Sequence, residues 1–335
     1  RQSRKASFYW KAMTIVIGSA AVYLANSLSD EDENPWYHNA PEYIRDNYWI
    51  IPPTWFGMTK DAPALRIPIP FEVGVLFKVI PERIIGLING TSSGRETWES
   101  LGRNTFSTLN FNPTPQWLLP VLETTMNHSF HRGLPVVGYW QGKNEGWLAD
   151  PEFASPFAIM LSRSADEANI RISAQKIDHI IRGYVGTLGS YALMAADSTG
   201  RVAAELPERA TRRLDQWPAL GRFLQESQGR GPTQTFYDLY SELDIFVSTL
   251  NSLKQVGDIQ GEDYYVKSRA NLNSYKAYIN ELKGQLDDMR KFRQQVKSDR
   301  SATPDQKRVA LDGIDRMTNE VLRGIRKVRV EALRR

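Results

Sequence analysis

Between Leu272 and Val296 the chain reads LNSYKAYINELKGQLDDMRKFRQQV, and the spacing of its apolar residues decides the architecture. Leu272, Tyr275, Ile279, Leu282, Leu286, Met289 and Val296 recur at intervals of three and four, with Arg293 as the one break. That spacing lays a single apolar stripe along a helix and predicts a heptad, coiled-coil-like seam. Thr303-Pro-Asp-Gln306 then supplies a capping box with proline at the first helical position. A second seam follows in Leu311, Ile314, Val321, Ile325 and Val328, with Thr318 and Ala332 in weaker positions. Two such helices joined by a short turn predict an antiparallel hairpin over 262–335. Residues 236–256 predict a third helix.

Upstream, residues 173–197 open on Ser173, a fitting N-cap, and place Ile177, Ile180, Ile181, Tyr184, Leu188 and Tyr191 at helical spacing. Gly183, Gly186 and Gly189 fall three apart on that helix. Each glycine costs about 1 kcal/mol in a helix interior, so the three suggest close approach of another helix. The stretch 35–160 is rich in Pro, Trp, Gly and Asn, with short apolar pieces between breaks. Pro70 suits a first helical turn, Pro81 should break or kink the helix that follows, and Phe111-Asn-Pro-Thr-Pro115 predicts a turn before an apolar helix from Trp117 to Met126. These elements do not alternate strand and helix as a dinucleotide fold would. The fold class is therefore all-α, an irregular Pro/Trp-rich helical domain followed by a long antiparallel helical hairpin. The expected divisions are a basic stub and apolar helix at 1–34, a compact domain at 35–197, a linker at 198–233 and a helical region at 234–335.

Composition narrows the function. The 335 residues contain no cysteine, which excludes disulfides, thiolate metal sites and a thiol nucleophile. A net charge of +4 is too small to predict nucleic-acid binding by itself. Eight of the nine Trp precede position 150, so core-forming material is expected mainly in the first half. The first residue is Arg1 and not Met, which suggests a processed product or the end of a longer polypeptide.

Residues 8–28 (FYWKAMTIVIGSAAVYLANSL) carry one charge, Lys11, and approach the roughly 20 residues that a bilayer core requires. Ile15, Val16, Ile17, Val22 and Leu24 form the core of this candidate membrane segment. Arg1, Arg4 and Lys5 precede it and the acidic run 30–33 follows, as an oriented insertion wants. Thr14, Ser19, Asn26 and Ser27 weaken it as a span. Burial against the Trp-rich region is the favoured expectation, with membrane contact kept for another state.

No constellation of catalytic type emerges. His128 and His131 lie in a Pro/Gly-rich loop and lack a third metal ligand at matching geometry. The glycines at 183, 186 and 189 follow a helix, not a strand, and no Lys-Ser/Thr comes after them as a phosphate loop needs. Ser173, Asp178 and His179 are helical neighbours that cannot aim at one another. Glu72, Glu82 and Glu123 are expected in ion pairs, with Arg66, Lys78 and Arg83 near enough to neutralise them. The sequence thus predicts no enzyme, no cofactor and no metal. Between 301 and 335 there are nine basic and five acidic residues. Arg323, Arg326, Lys327, Arg329, Arg334 and Arg335 are candidates for phosphate or anionic-lipid contact, against the simpler reading of a solvated helix face.

Five segments in order carry a resemblance: Phe8-Tyr-Trp-Lys-Ala12, Arg66-Ile-Pro-Ile-Pro-Phe-Glu-Val-Gly74, Pro81-Glu-Arg-Ile84, Phe111-Asn-Pro-Thr-Pro115, and Ile177-Asp-His-Ile-Ile-Arg-Gly-Tyr-Val-Gly-Thr-Leu-Gly189. Over roughly residues 6–255 the chain resembles a large polyvalent-protein-associated domain carried by giant proteins of tailed bacteriophages. The resemblance implies an internal virion protein, ejected with the genome and bringing no catalytic residues of its own. Its implied partners are copies of itself, other internal proteins, the portal, genomic DNA and, after ejection, the host inner membrane. Its implied locations are the virion interior and then the host periplasm and inner membrane. The alternative is a membrane-associated toxin or antirestriction effector delivered with phage DNA.

Overall fold

A computed structural model describes residues 2–59, 62–69, 72–89, 98, 102, 115, 117–130, 135–138, 154–203, 207–217 and 219–334. Pro70, Arg335 and, save for Pro115, the turn expected at 111–115 lie outside them. The chain is mainly helical, as its patterning requires, with one small sheet that the patterning does not reveal. It divides into two compact units. One comprises residues 1–108, 223–296 and 309–335, the other residues 109–222 and 297–308.

The first unit begins with α1 (Gln2–Ser27) and the short helices α2 (Pro35–His38) and α3 (Glu42–Asn47). Asn34 caps α2 by accepting the backbone N–H of Tyr37 at 3.4 Å. An antiparallel sheet follows, in which β1 (Tyr48–Ile51) pairs with β2 (Ala64–Pro68), Tyr48 opposite Pro68 and Ile51 opposite Leu65. The distant β3 (Leu224–Gln225) adds to the other edge of β2. Trp36, Tyr37, Ala40, Ile44, Ile50 and Ala64 make the core of this region. Helix α4 (Glu72–Ile88) then runs through Pro81, so of the expected break or kink the break does not occur. Proline removes one intrahelical hydrogen bond, and packing of α4 on α1 and α3 offsets that loss.

The largest apolar cluster among the described residues lies at the other end of the chain. It is built by α8 (Gly231–Val256), α9 (Ile259–Ser268), α10 (Ala270–Ser274), α11 (Lys276–Ser298), α12 (Pro304–Val321) and α13 (Ile325–Ala332). Phe236, Leu239, Leu243 and Phe246 of α8 meet Leu272, Ile279, Leu282 and Leu286 of the first seam and Ile325 and Ala332 of the second, with Leu322 buried where Val321 was expected and Val321 only partly so. Among the described residues the main core thus sits in the C-terminal region and not in the Trp-rich half. Trp36 is fully buried there, but Trp10, Trp55, Trp98 and Trp117 are exposed. The pairs Arg293–Asp315, Tyr275–Glu331 and Asn271–Arg334 advance along one arm while receding along the other, the register of an antiparallel hairpin. Its second arm breaks at Gly324, whose φ of 74° suits glycine, so α12 and α13 share a stripe but not an axis.

The second unit contains α5 (Leu119–Thr125), α6 (Pro156–Glu167) and α7 (Ala174–Ala203). Ser155 caps α6, and Asp178 of α7 accepts both its backbone N–H and its hydroxyl at 2.6 Å. Residue Ser173 directly precedes α7, whose Ile177 N–H bonds to the Ser173 carbonyl.

Candidate functional site

Helix α1 presents the opposite of a soluble helix. The 22 residues of 6–27 are long and apolar enough to cross a membrane, yet only 6% of their apolar window is buried. The expected burial against the Trp-rich region is therefore confined to one narrow stripe. Its two fully buried residues are polar: Ser19 and Asn26 are each 0% exposed. The Ser19 hydroxyl accepts from Trp49 Nε1 at 2.9 Å. Asn26 donates to the Ile50 carbonyl at 2.9 Å and accepts from Asn34 Nδ2 at 2.7 Å. Between them Tyr23 packs edge-on to Tyr37. Of the remaining polar residues, Thr14 bonds back to the Trp10 carbonyl at 2.8 Å and Ser27 to that of Leu24 at 3.4 Å. Thr14 and Ser27 are thus satisfied within the helix itself, which shrinks their dilution of its transfer energy, whereas Ser19 and Asn26 are satisfied only against the rest of the protein.

The outward face is apolar. Tyr9, Trp10, Met13, Ile17, Leu24 and Leu28 are exposed, Ile17 by 60% and Trp10 by 75%, while Ile15, Val16 and Val22 are half-buried. Buried apolar side chains are worth about 1.5–3 kcal/mol each, so leaving these in water forgoes a large gain. Tyr9 and Trp10 stand beside Lys11 near the basic end, the placement that suits a membrane–water interface.

Helix α4 repeats the inversion, and sequence reasoning missed it. Phe8 meets Phe77 at 6.2 Å, and Tyr23 and Ser27 share a cavity wall with Glu82 and Asn89, so α1 and α4 run side by side in the same direction. Three charges of α4, on Lys78, Glu82 and Arg83, point inward. Lys78 pairs with Glu82 at 2.7 Å, both nearly buried, and Lys78 also donates to the Arg45 carbonyl. Arg83 binds Glu42 at 2.8 Å and Asp46 at 2.9 Å. Ile80, Ile84, Leu87 and Ile88 remain exposed. The sequence signal was there in Lys78 and Glu82, four apart, offset from isoleucines at 80 and 84.

The other predicted residues scatter. Arg323 pairs with Asp32 at 2.7 Å, and Arg326 donates to the carbonyls of His38 and Ala40. Lys327 and Arg334 are exposed, and Arg329 is half-buried beside α8. The five described basic residues do not make one continuous face. Of the glycines, only Gly183 serves close helix approach: a Cβ there would stand 2.6 Å from Pro120 of α5. Gly186 kinks α7 with φ 62° and ψ −140°, and a Cβ on Gly189 would strike Val185 across that kink.

Among the described residues Glu123 meets no Arg or Lys. One oxygen meets His179 Nε2 at 2.6 Å and the other accepts the Phe130 N–H at 2.7 Å, tying α5 to α7. With Asp178 committed to Ser155, the residues Ser173, Asp178 and His179 form no relay. Glu82 and Arg83 are in ion pairs as expected.

Neither curated proteins nor solved structures yield a match to this chain. The profile of large polyvalent protein associated domain 38 matches residues 34–220, more than half of the sequence and all of the middle region that carried the resemblance. On that match, the chain belongs to the large polyvalent protein associated domain 38 family, a phage-associated family of large polyvalent proteins.

Proposed function

We propose that this chain is a structural, non-enzymatic part of an internal virion protein, assembling inside the capsid and leaving with the genome. In this reading α1 changes environment: it rests on the protein in the virion and inserts in the host inner membrane after ejection. The observation that carries it is the exposure of the apolar residues Trp10, Met13, Ile17 and Leu24 along α1, whose two fully buried residues, Ser19 and Asn26, are polar. A helix of 22 residues spans about 33 Å, enough for a hydrocarbon core of about 30 Å. Lys11 near one end can snorkel to the interface. Copies of the chain, other internal proteins and the portal would be its partners in the particle.

Two experiments test the reading. Quantitative mass spectrometry of full and emptied particles should find the protein in the first and not in the second. Equal amounts in both defeat ejection. Flotation of the protein with anionic liposomes should depend on the outward face of α1. Met13→Glu with Ile17→Lys places two charges there, adding roughly 5–7 kcal/mol to insertion on translocon scales. Unchanged flotation of that variant removes α1 from the membrane role. The rival, a membrane-associated toxin or effector, shares α1 but requires an effect on host cells from the protein expressed alone.

A further inference from the structure

The outward stripes of α1 and α4 belong to one face. Trp49 of β1 shows this, because it touches the inner side of both helices: its Nε1 donates to Ser19 of α1, and its ring packs on the cluster of Ile69 and Val79. Farther along, Asn26 of α1 binds the Ile50 carbonyl, and Lys78 and Arg83 of α4 reach Arg45, Glu42 and Asp46 of α3. Both helices thus turn their inner sides to one layer, made by β1 and α3, and their outward stripes look away from it. On α1 that stripe holds Trp10, Met13, Ile17 and Leu24. On α4 it holds Ile80, Ile84, Leu87 and Ile88, spaced as one helical side requires. Every charge between Phe77 and Ile88 points inward, so this stretch of α4 offers a partner only aliphatic surface.

Two properties select lipid as the occupant. Residues 1–11 contain Arg1, Arg4, Lys5 and Lys11 and no acid, so the end of the face where Tyr9 and Trp10 lie suits anionic headgroups. The stripe of α4 has neither the arginine nor the aromatic anchors around which protein–protein contacts are built.

The direction of the helices then decides how the face can meet a bilayer. They run side by side in the same direction, so for both to cross together residues 28–71 would have to return through the hydrocarbon. That stretch carries the acids of 30–33 and the buried charges of Asp46 and Arg66, a costly passage. Helix α4 is also short, 17 residues or about 26 Å against a core of about 30 Å. Lying flat demands none of this. A helix in the interfacial plane needs an apolar face and a basic flank, and the pair presents both without unfolding.

We infer that the folded chain docks flat on an anionic bilayer through α1 and α4 together, with Ile80, Ile84, Leu87 and Ile88 sunk beside the stripe of α1 at the headgroup–acyl boundary. The inference rests on the reading that α1 meets lipid, and adds that α4 does so too. This docking precedes any crossing by α1, which must first part from α4.

Ile84→Glu with Ile88→Lys breaks the α4 stripe and leaves α1 intact. Both positions are exposed, and the new charges stand four apart in the attractive order, so the Tm of the full chain should hold. Affinity for vesicles of phosphatidylglycerol and phosphatidylcholine should fall at least about tenfold. Because the chain has no cysteine, Ile17→Cys, Ile88→Cys and Asp288→Cys each take a single polarity-sensitive fluorophore. Vesicles should shift the emission of the labels at 17 and 88 to the blue and leave that at 288, in the C-terminal hairpin, unchanged. An α4 variant that binds as the wild type does, or a label at 88 that stays in water while that at 17 shifts, overturns the docking of α4 and leaves the role of α1 untouched. No shift at 17 either removes both. A lower mass of the α4 variant by light scattering without lipid would give the face to a second copy, and overturns lipid as its occupant.

Discussion

The C-terminal helices and α1 solve the same problem in opposite senses. In the C-terminal region, Leu282 and Ile279 face inward against Phe236 and Phe246, while Lys291 and Asp288 face water. In α1, Ser19 and Asn26 face inward and Met13 and Ile17 face out. Each arrangement satisfies its polar groups, but the first rests on fully buried apolar side chains, whereas the fully buried residues of α1 are polar and its Ile15, Val16 and Val22 are only half-buried. The first is stabilised by water. The second is held by a few hydrogen bonds to Trp49, Ile50 and Asn34 and by partial apolar packing, and such a hold is one that a lipid phase could compete with.

The largest expected effect lies in the C-terminal core. Leu282→Asp puts a charge among Leu239, Ile279 and Leu286 with no cation to meet it, at a cost of at least about 3–5 kcal/mol. Urea unfolding followed by circular dichroism should show the midpoint collapse. A midpoint within error of the wild type would mean that the seam is not the core.

The next effect sits where the two regions touch. His38 accepts its place by bonding the Ser29 carbonyl just after α1, while Arg326 of α13 crowds it. Burial first, and that positive charge second, lower its pKa from 6.5 to about 4. The folded state therefore prefers neutral imidazole. Its contribution is fully present above pH 6.5 and is lost as the pH falls from there toward 4, because the unfolded chain takes up the proton first. The shift corresponds to about 3 kcal/mol at most. His38→Gln should flatten stability against pH in that window, and an unchanged slope would assign the acid sensitivity to other groups.

Asn26→Leu makes α1 more apolar and should nonetheless destabilise the fold. It orphans the Ile50 carbonyl and the Asn34 amide, at a cost of about 1–3 kcal/mol. A gain in stability would show that the inward stripe tolerates an apolar contact and that the inversion is incidental.

How much of this was legible depends on the distance over which each element is determined. The C-terminal seams repeat within each turn, so Leu272 to Val296 announces its buried face by itself, and Thr303 its cap. The face that α1 buries is set by Trp49 and Ile50, more than twenty residues away, and composition along α1 cannot reveal it. The sheet was hidden for a similar reason: β2 is five residues long with a proline at its end, and β3 is two residues drawn from position 224. Gly183, Gly186 and Gly189 looked like one motif, yet three different local demands use them.

The smallest effect is the most informative. Met13→Glu with Ile17→Lys introduces two charges into a segment that the sequence marks as the most apolar of the chain. If α1 were an ordinary core helix, each substitution would cost several kcal/mol, as Leu282→Asp should. Met13 and Ile17 are more than half exposed, however, so neither new charge leaves water. Glu and Lys are good helix formers, and placed four apart in this order they attract one another by about 0.2–0.5 kcal/mol. The Tm should therefore move by no more than the roughly 0.5 kcal/mol typical of surface changes. A loss as large as that of Leu282→Asp would place the outward face of α1 against a protein surface, in this chain or in a second copy, and would dissolve the contrast between the two regions. An unchanged Tm together with abolished flotation would leave lipid as the one environment that distinguishes the variant from the wild type.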